Sequence, residues 1–239
     1  MPSWSVHLAI AKKVNKKLGL NEDLFLYGNL IPDVDKNTKI TRYDAHYYDE
    51  NLPFPTVPQE KMIDINKFLS VYKKYLNNPL ILGYYSHLLT DQFYNEKVYI
   101  TKWVQDMNNN IIGIKFKNGK IKYIDAGDKK RIKRKYKHKD FELFGKYLFN
   151  DGYVFIPKNI KLVKENAIYL KDRFLTDELI DYRFNYLKNN FAKFNKLSLT
   201  EKLFKHKYKL FTKKDLDTIM EDCIELIVSK IKESGGDKI

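Results

Sequence analysis

Five side chains in the first 91 residues combine imidazole and carboxylate groups that could bind a divalent metal ion. They are His7, Asp33, His46, His87 and Asp91. His87 and Asp91 are four residues apart, so a helix would place both side chains on one face, one turn apart. An imidazole and a carboxylate in that arrangement supply two ligands to a metal such as zinc. Because the chain has only five histidines and three belong to this set, their clustering calls for a chemical explanation.

A purely structural explanation of the same residues is also open. His87 and Asp91 lie in an apolar stretch with Leu88 and Leu89. Polar groups on a buried helix must be satisfied by hydrogen bonds or by a metal ion. The two side chains could therefore pair only with each other, and His7 could be a partly buried core residue of an amphipathic helix.

The elements that would position these residues are mainly helices, because apolar residues recur at helical spacing through most of the chain. The predicted helices cover residues 3–18, 21–30, 59–76, 79–94, 128–149, 161–170, 176–189, 199–206 and 213–232. Residues 34–57 are polar, aromatic and interrupted by proline, which predicts a long loop carrying His46. Alternation around Asn118-Gly119 predicts one small β-hairpin, inserted at about residues 110–125. We expect an all-α fold in a single domain spanning residues 1–239.

Composition narrows the class of protein. Hydrophobic residues make up 44% of the chain, which predicts a folded protein rather than a disordered one. The net charge of +14 favours either a phosphate-bearing partner, such as a nucleic acid or a phospholipid headgroup, or simply a solvated, lysine-rich surface. A single cysteine, Cys223, and the lack of a signal peptide or a long apolar segment predict a cytoplasmic protein.

Four segments around the histidines and aspartates resemble a known family. In chain order they are WSVH (residues 4–7), GNLIPD (28–33), AHYYD (45–49) and LGYYSHLLTD (82–91). Their order is similar to that in the zinc-dependent phospholipase C and S1/P1-type nuclease family, and the resemblance covers about the first 95 residues. It implies a phospholipase C/P1 nuclease-like helical fold in which one to three zinc ions support the cleavage of phosphate esters.

The resemblance also implies a role for each residue of the set. One zinc ion would be bound by Asp33, His46, His87 and Asp91. Asp33 would also be the catalytic residue beside the attacking water. Asp91 would bridge to a second zinc ion that His7 binds as well.

The rest of the family pattern is matched only in part. In the family, the amine of an N-terminal tryptophan completes the second site, but Trp4 follows three other residues in this chain, so its amine cannot do so. The family binds its remaining zinc ion with a histidine and a later His-x-x-x-Glu pair. His138 and Glu142 reproduce that pair and are the predicted further ligands, whereas Asp140, a rival ligand, would point elsewhere on an ideal helix. The other histidine has no counterpart between Asp91 and His138.

We therefore predict a zinc-dependent hydrolase of phosphate esters, a phospholipase C-like phosphodiesterase in which zinc-activated water attacks phosphorus. Its substrate would be a phospholipid, a nucleotide or a small phosphodiester. Two alternatives stay open. One is a degenerate relative that binds a metal or a phosphorylated ligand without turnover. The other is a basic nucleic-acid-binding module in which the histidines are incidental.

Overall fold

The computed structural model describes residues 2–33, 40–55, 57–171, 175–199, 201 and 208–234, and these residues are mostly helical. The helices are α1 (Trp4–Leu18), α2 (Glu22–Gly28), α3 (Arg42–Ala45), α4 (Ile65–Tyr72), α5 (Pro79–Lys102), α6 (Lys129–Ile132), α7 (Lys139–Asn150), α8 (Ile160–Asn166), α9 (Ile168–Lys171), α10 (Asp177–Tyr186), α11 (Ala192–Asn195) and the C-terminal helix (Lys213–Glu233). Short 3-10 turns occupy Ile31–Asp33, Lys73–Tyr75 and Ala126–Asp128, and π-helical stretches occupy Lys133–His138 and Leu187–Phe191. Within the described part of the chain, no helix has the length and apolar content that a bilayer crossing requires.

Two small antiparallel sheets accompany the helices. They consist of β1 (Tyr48–Phe54) with β2 (Val57–Ile63), and of β3 (Trp103–Gln105), β4 (Ile111–Lys115) and β5 (Ile121–Tyr123) in that order. The predicted hairpin is confirmed as β4 and β5. Gly119 in its turn has a φ of 82°, which glycine adopts without strain. The sequence does not predict β3, which pairs Trp103 with Ile114 of β4.

The prediction of a long loop over residues 34–57 is wrong for most of the described part of that range. Residues Arg42–Ala45 form α3, and the hairpin of β1 and β2 follows. The helix predicted from residue 59 therefore begins only at Ile65, with Asp64 as its N-cap. The hairpin escapes prediction because β1 is mostly exposed and contains acidic residues and a proline, which strands disfavour. Residues 34–39, and most of the helix predicted at 199–206, lie outside the described residues.

The helix that carries His87 and Asp91 is α5, and most of it is buried. It begins as predicted at Pro79, where the side chain of Asn78 accepts a hydrogen bond from the Leu80 N–H. The predicted end near residue 94 is wrong, because α5 continues to Lys102 and leads into the three-stranded sheet. The turn that carries His87 and Asp91 therefore lies at the middle of α5, where the residues are buried.

Two glycines allow α2 and α5 to cross with their backbones in contact. A Cβ atom at Gly83 would overlap the carbonyl oxygen of Phe25, and one at Gly28 would overlap that of Leu80. No other residue type fits at either position without a shift of backbone. The close approach places Asn29, directly after α2, beside the turn of α5 that carries His87.

The position of α1 is fixed by contacts along its whole length. Residues Ser5 to Ala11 are all buried, and α1 packs against α7 and the C-terminal helix. On the outer side, Lys13 and Lys17 form ion pairs with Glu221 and Glu225 of the C-terminal helix. These contacts hold the buried face of α1, which includes His7, against the core.

Candidate metal centre

The structure brings together the five side chains that the sequence singles out. We call them the histidine–aspartate cluster: His7 in α1, Asp33 at the end of the first 3-10 turn, His46 directly after α3, and His87 and Asp91 in α5. Asp33 is 4% exposed and the other four are fully buried. As predicted, His87 and Asp91 lie one helical turn apart with their side chains in contact.

Donor atoms of four cluster residues converge. His46 Nε2 lies 3.3 Å from Asp33 Oδ1 and 3.3 Å from His87 Nε2. Asp91 Oδ2 lies 3.5 Å from both of these nitrogen atoms. Ligands bound to one zinc ion at about 2.0–2.1 Å in a tetrahedron lie about 3.3–3.4 Å from one another. These four separations match those between neighbouring ligands of one zinc ion, and the donor atoms of Asp33, His46 and His87 all lie within 4.8 Å of one another.

Hydrogen bonds on the far side of two rings determine which nitrogen faces the cluster. His46 Nδ1 lies 2.8 Å from the backbone carbonyl oxygen of Arg42, and His87 Nδ1 lies 2.7 Å from that of Asn29. Since a carbonyl oxygen can only accept, each Nδ1 carries a proton, and each ring, when neutral, directs the lone pair of Nε2 into the cluster. Proteins orient metal-binding histidines in this way.

The converging lone pairs require a positive charge between them. Two imidazole nitrogens and two carboxylates face one another, and neither oxygen of Asp91 accepts a well-aligned hydrogen bond from a described residue. Such a buried carboxylate is costly. A proton on His87 could supply one charge: burial lowers the pKa of His87, but Asp91 and Asp33 outweigh burial and raise it. A metal ion held by Asp33, His46 and His87, or by His7, His87 and Asp91, would supply a positive charge among these donors, so the residues present fit a metal ion.

His7 lies beside the second oxygen of Asp91. Its Nε2 is 3.2 Å from Asp91 Oδ1, and its ring stacks on that of His87 with the centroids 4.0 Å apart. Neither ring nitrogen of His7 forms a hydrogen bond with a described residue. Burial, reinforced by His87, lowers the pKa of His7 to about 4, so the ring is neutral at neutral pH. Asp91 thus directs one oxygen to each of two positions, as a bridging carboxylate does, but the second group of candidate ligands shares His87 with the first.

Asp33 is held by contacts with both its side chain and its backbone. The indole N–H of Trp4 donates to Oδ2 at 2.7 Å, and Arg42 forms an ion pair with Oδ1. Arg183 donates to the backbone carbonyl oxygen of Asp33 at 2.7 Å and lies 4.4 Å from the centre of the Trp4 ring. Burial would raise the pKa of Asp33, but the contact with His46 and the neighbouring positive charges lower it well below its usual range. The Asp33 carboxylate therefore stays ionised.

Two predicted ligands lie apart from the cluster. His138 and Glu142 are exposed, and neither belongs to a group of candidate metal ligands among the described residues. They line different cavities, His138 one beside Arg42 and Glu142 one beside Trp4. The role predicted for them, as ligands of a further zinc ion, stays a prediction.

Asp140, the rival ligand, is engaged by backbone. It is 2% exposed and accepts hydrogen bonds from the N–H groups of Lys209, Leu210 and Phe211 at 2.7 to 3.1 Å. Burial raises the pKa of Asp140, although these three N–H groups act in the opposite direction. Asp140 therefore anchors the segment that leads into the C-terminal helix.

The sequence does not predict which residues form hydrogen bonds to the cluster members and so orient them. The carbonyl groups of Asn29 and Arg42 have no side-chain signature, and Arg183 lies 150 residues from Asp33 along the chain. Trp4 belongs to the segment WSVH, so the resemblance does draw attention to it. The segment does not predict the hydrogen bond from the Trp4 indole to Asp33, because this bond depends on how α1 packs against the 3-10 turn.

No protein-family model, no curated protein and no solved structure matches this chain. Its resemblance to the phospholipase C and P1 nuclease family accordingly stays a prediction. The geometry of the histidine–aspartate cluster carries the functional interpretation.

Proposed function

We propose that this protein is a zinc-dependent hydrolase of phosphate esters with a fold of the phospholipase C/P1 nuclease type. The observation that carries the proposal is the convergence, at 3.3 to 3.5 Å, of donor atoms from Asp33, His46, His87 and Asp91. Two imidazoles and two carboxylates form a ligand set that suits zinc. The carbonyl groups behind His46 and His87 add the second layer of contacts that metal-binding histidines usually have.

Zinc, when bound, would polarise a water molecule and the phosphoryl group. The chain's own residues would orient the reactants. Asp33 is ionised and is held in place by Trp4 and Arg42. It can therefore accept a hydrogen bond from the attacking water, which would point the lone pair of the water toward phosphorus. Arg42 also lines the cavity beside the cluster, where its positive charge would stabilise the negative charge that develops on the phosphoryl oxygens.

Metal binding without turnover is the second candidate, and one observation favours it. A second metal ion would have to be bound by His7, His87 and Asp91, but His87 also belongs to the group with Asp33 and His46. Among the described residues, His7 and Asp91 alone are then left for the second ion. A centre with one metal ion would lack the second positive charge that many phosphodiesterases use. The third reading, a nucleic-acid-binding module, accounts for the net charge of +14 but not for five buried residues with converging donor atoms.

Metal content and hydrolysis tests separate these candidates. Elemental analysis of the purified wild-type protein should find about one zinc ion or more per chain. Asp91→Asn keeps the size of the side chain and should lose this metal. Asp222→Asn, at an exposed position of the C-terminal helix, is the matched control and should keep it. A wild-type protein that takes up no zinc, even when zinc is supplied, would contradict the proposal.

Hydrolysis is measured with bis(p-nitrophenyl) phosphate, a generic phosphodiester. We expect turnover that a chelator abolishes, that added zinc restores and that Asp91→Asn lacks. Zinc binding without turnover would instead support the second candidate. His138→Ala, assayed for zinc content alone, tests the predicted further site: a lower zinc count would support His138 as a ligand, and an unchanged count would exclude it.

A further inference from the structure

A cavity of about 560 Å³ opens beside the histidine–aspartate cluster. Arg42, which pairs with Asp33, and Asn95, which follows Asp91 by one turn of α5, both line it. So does Tyr48, the first residue of β1. Its volume is typical of small-molecule sites, which measure about 300–1,000 Å³. The cavity therefore lies next to the cluster through Arg42 and Asn95, although no cluster side chain lines it.

Basic residues dominate the charged lining, and we call this cavity the cationic pocket. Its charged and titratable side chains other than tyrosine are Arg42, Lys61, Lys133, Lys137, His138 and Glu60. The acidic residue, Glu60, is already matched: Lys133 Nζ donates to Oε2 at 2.6 Å, and Lys129 Nζ lies 2.9 Å from Oε1. The pocket therefore presents a net positive charge to a ligand.

Lys137 is the buried cation of this pocket. It is 3% exposed, and its Nζ donates to Asn95 Oδ1 at 2.7 Å and lies 5.6 Å from the centre of the Tyr99 ring. In the described part of the chain, no carboxylate forms an ion pair with it. A buried ammonium group is costly unless it is paired with a negative charge. The site therefore favours an anionic ligand.

The local backbone turns Lys137 inward. Lys133–His138 is π-helical, a rare conformation found frequently at functional sites. Within this stretch Lys135 and His138 are exposed, whereas Lys137 is buried. Lys137 therefore lines the pocket while it is shielded from solvent.

We propose that the cationic pocket binds the phosphate group of a substrate ester, and that the Lys137 ammonium contacts a non-bridging oxygen of that phosphate. Since Asn95 lies one helical turn beyond Asp91, Lys137 can reach a phosphate that also contacts the metal of the cluster; this assignment rests on the function proposed above. The positive lining disfavours esters with a cationic headgroup, such as phosphocholine. It favours esters whose other group is neutral or anionic.

Binding of inorganic phosphate to the zinc-supplied protein, measured by calorimetry, tests the contact. Lys137→Met removes the charge at similar length and should weaken phosphate binding about tenfold or more, as expected for a lost charge-assisted hydrogen bond. Lys137→Arg keeps the charge and should retain most of the affinity. Lys130→Met removes an exposed lysine from α6 and should bind phosphate as the wild type does.

A second measurement keeps these variants interpretable. Thermal melting shows whether Lys137→Met is folded: the substitution removes a buried charge but leaves Asn95 Oδ1 without its donor, so we expect a melting temperature at most a few degrees below that of the wild type. If folded Lys137→Met binds phosphate as tightly as the wild type, the proposal is overturned. A wild-type protein that binds no phosphate overturns it as well.

Zinc content of the same samples distinguishes this proposal from the proposed function. If the zinc-supplied protein holds no zinc but binds phosphate in a way that depends on Lys137, this result would support the anion site and refute the proposed hydrolase. In the zinc-loaded protein, kcat/KM should be higher for bis(p-nitrophenyl) phosphate than for p-nitrophenyl phosphocholine, and Lys137→Met should narrow this difference. Faster cleavage of the phosphocholine ester by the wild type would overturn the assigned charge selectivity.

Discussion

Gly28 and Gly83 meet backbone to backbone where α2 crosses α5, one helical turn before His87. The contact leaves no room for a Cβ atom on either residue. Because α2 ends at this crossing, the carbonyl oxygen of Asn29 comes within 2.7 Å of His87 Nδ1. The tautomer of His87, and with it the direction of the Nε2 lone pair, therefore depends on two glycines that do not touch the cluster.

Gly83→Ala should impair both stability and metal binding. The added methyl group would overlap the carbonyl oxygen of Phe25, and overpacking of this kind costs about 1–3 kcal/mol. Moving α2 would also lengthen the bond between Asn29 and His87, so zinc affinity should fall about tenfold or more. Urea unfolding and zinc competition with a chromophoric chelator measure the two effects. Gly127→Ala, where the added atom meets open space, is the control; equal behaviour of the two variants would contradict this account.

Zinc affinity should fall as the pH is lowered from about 8 to about 6, because protons compete with the metal for histidine nitrogen. Asp91 and Asp33 outweigh the effect of burial and raise the pKa of His87 above 6.5, so this ring gains a proton at a higher pH than an ordinary histidine. Below that pKa, each pH unit should cost up to about tenfold in affinity. His7 adds nothing over this range, since its pKa is lowered to about 4. A flat affinity profile would show that His87 does not bind the metal.

Trp4→Phe should weaken zinc binding without removing it. The substitution deletes the indole N–H that donates to Asp33 Oδ2 but keeps an aromatic ring beneath Arg183. Loss of a contact behind a metal ligand typically costs about 10- to 100-fold in affinity. Trp103→Phe is the matched control, because its indole nitrogen has no hydrogen-bond partner among the described residues. Competition titrations measure both variants, and equal affinities would remove Trp4 from the support of the cluster.

Asp140→Ala should destabilise the protein and leave its zinc content unchanged. The substitution leaves three backbone N–H groups, those of Lys209, Leu210 and Phe211, without the acceptor that Asp140 provides. We expect a loss of about 2–4 kcal/mol in the free energy of unfolding, because unsatisfied buried donors are costly. Asp217→Ala, which removes an exposed ion pair with Lys213, should cost less than about 1 kcal/mol. A lower zinc count in Asp140→Ala would instead support Asp140 as a ligand.

Local signals in the sequence predict the elements that carry the cluster. Asn78-Pro79 predicts the start of α5, and Asn118-Gly119 predicts the turn between β4 and β5, since each signal acts within a few residues. The same reasoning misses the hairpin of β1 and β2. That hairpin has register shifts and an exposed first strand, so its sequence lacks the alternation on which strand prediction relies.

The members of the cluster can be predicted from residue type, but their support cannot. The five histidines are few enough to be noticed, whereas Asp33 and Asp91 stand out among 30 acidic residues only by the segments and spacing in which they occur. The contacts of Asn29 and Arg42 are made by backbone carbonyl groups, which every residue has. Lys137 is one lysine in a basic run. Only the π-helical turn and the neighbouring Asn95 distinguish it, and both depend on the folded structure.

The hydrogen bond from Trp4 to Asp33 gives this protein a built-in optical reporter. The chain has two tryptophans, and the indole of one of them bonds to a carboxylate of the cluster. Indole fluorescence responds to the charge and hydrogen bonding of its neighbours. In a Trp103→Phe background the emission would come from Trp4 alone, so its intensity and wavelength would follow occupancy of the cluster in real time, without any added label.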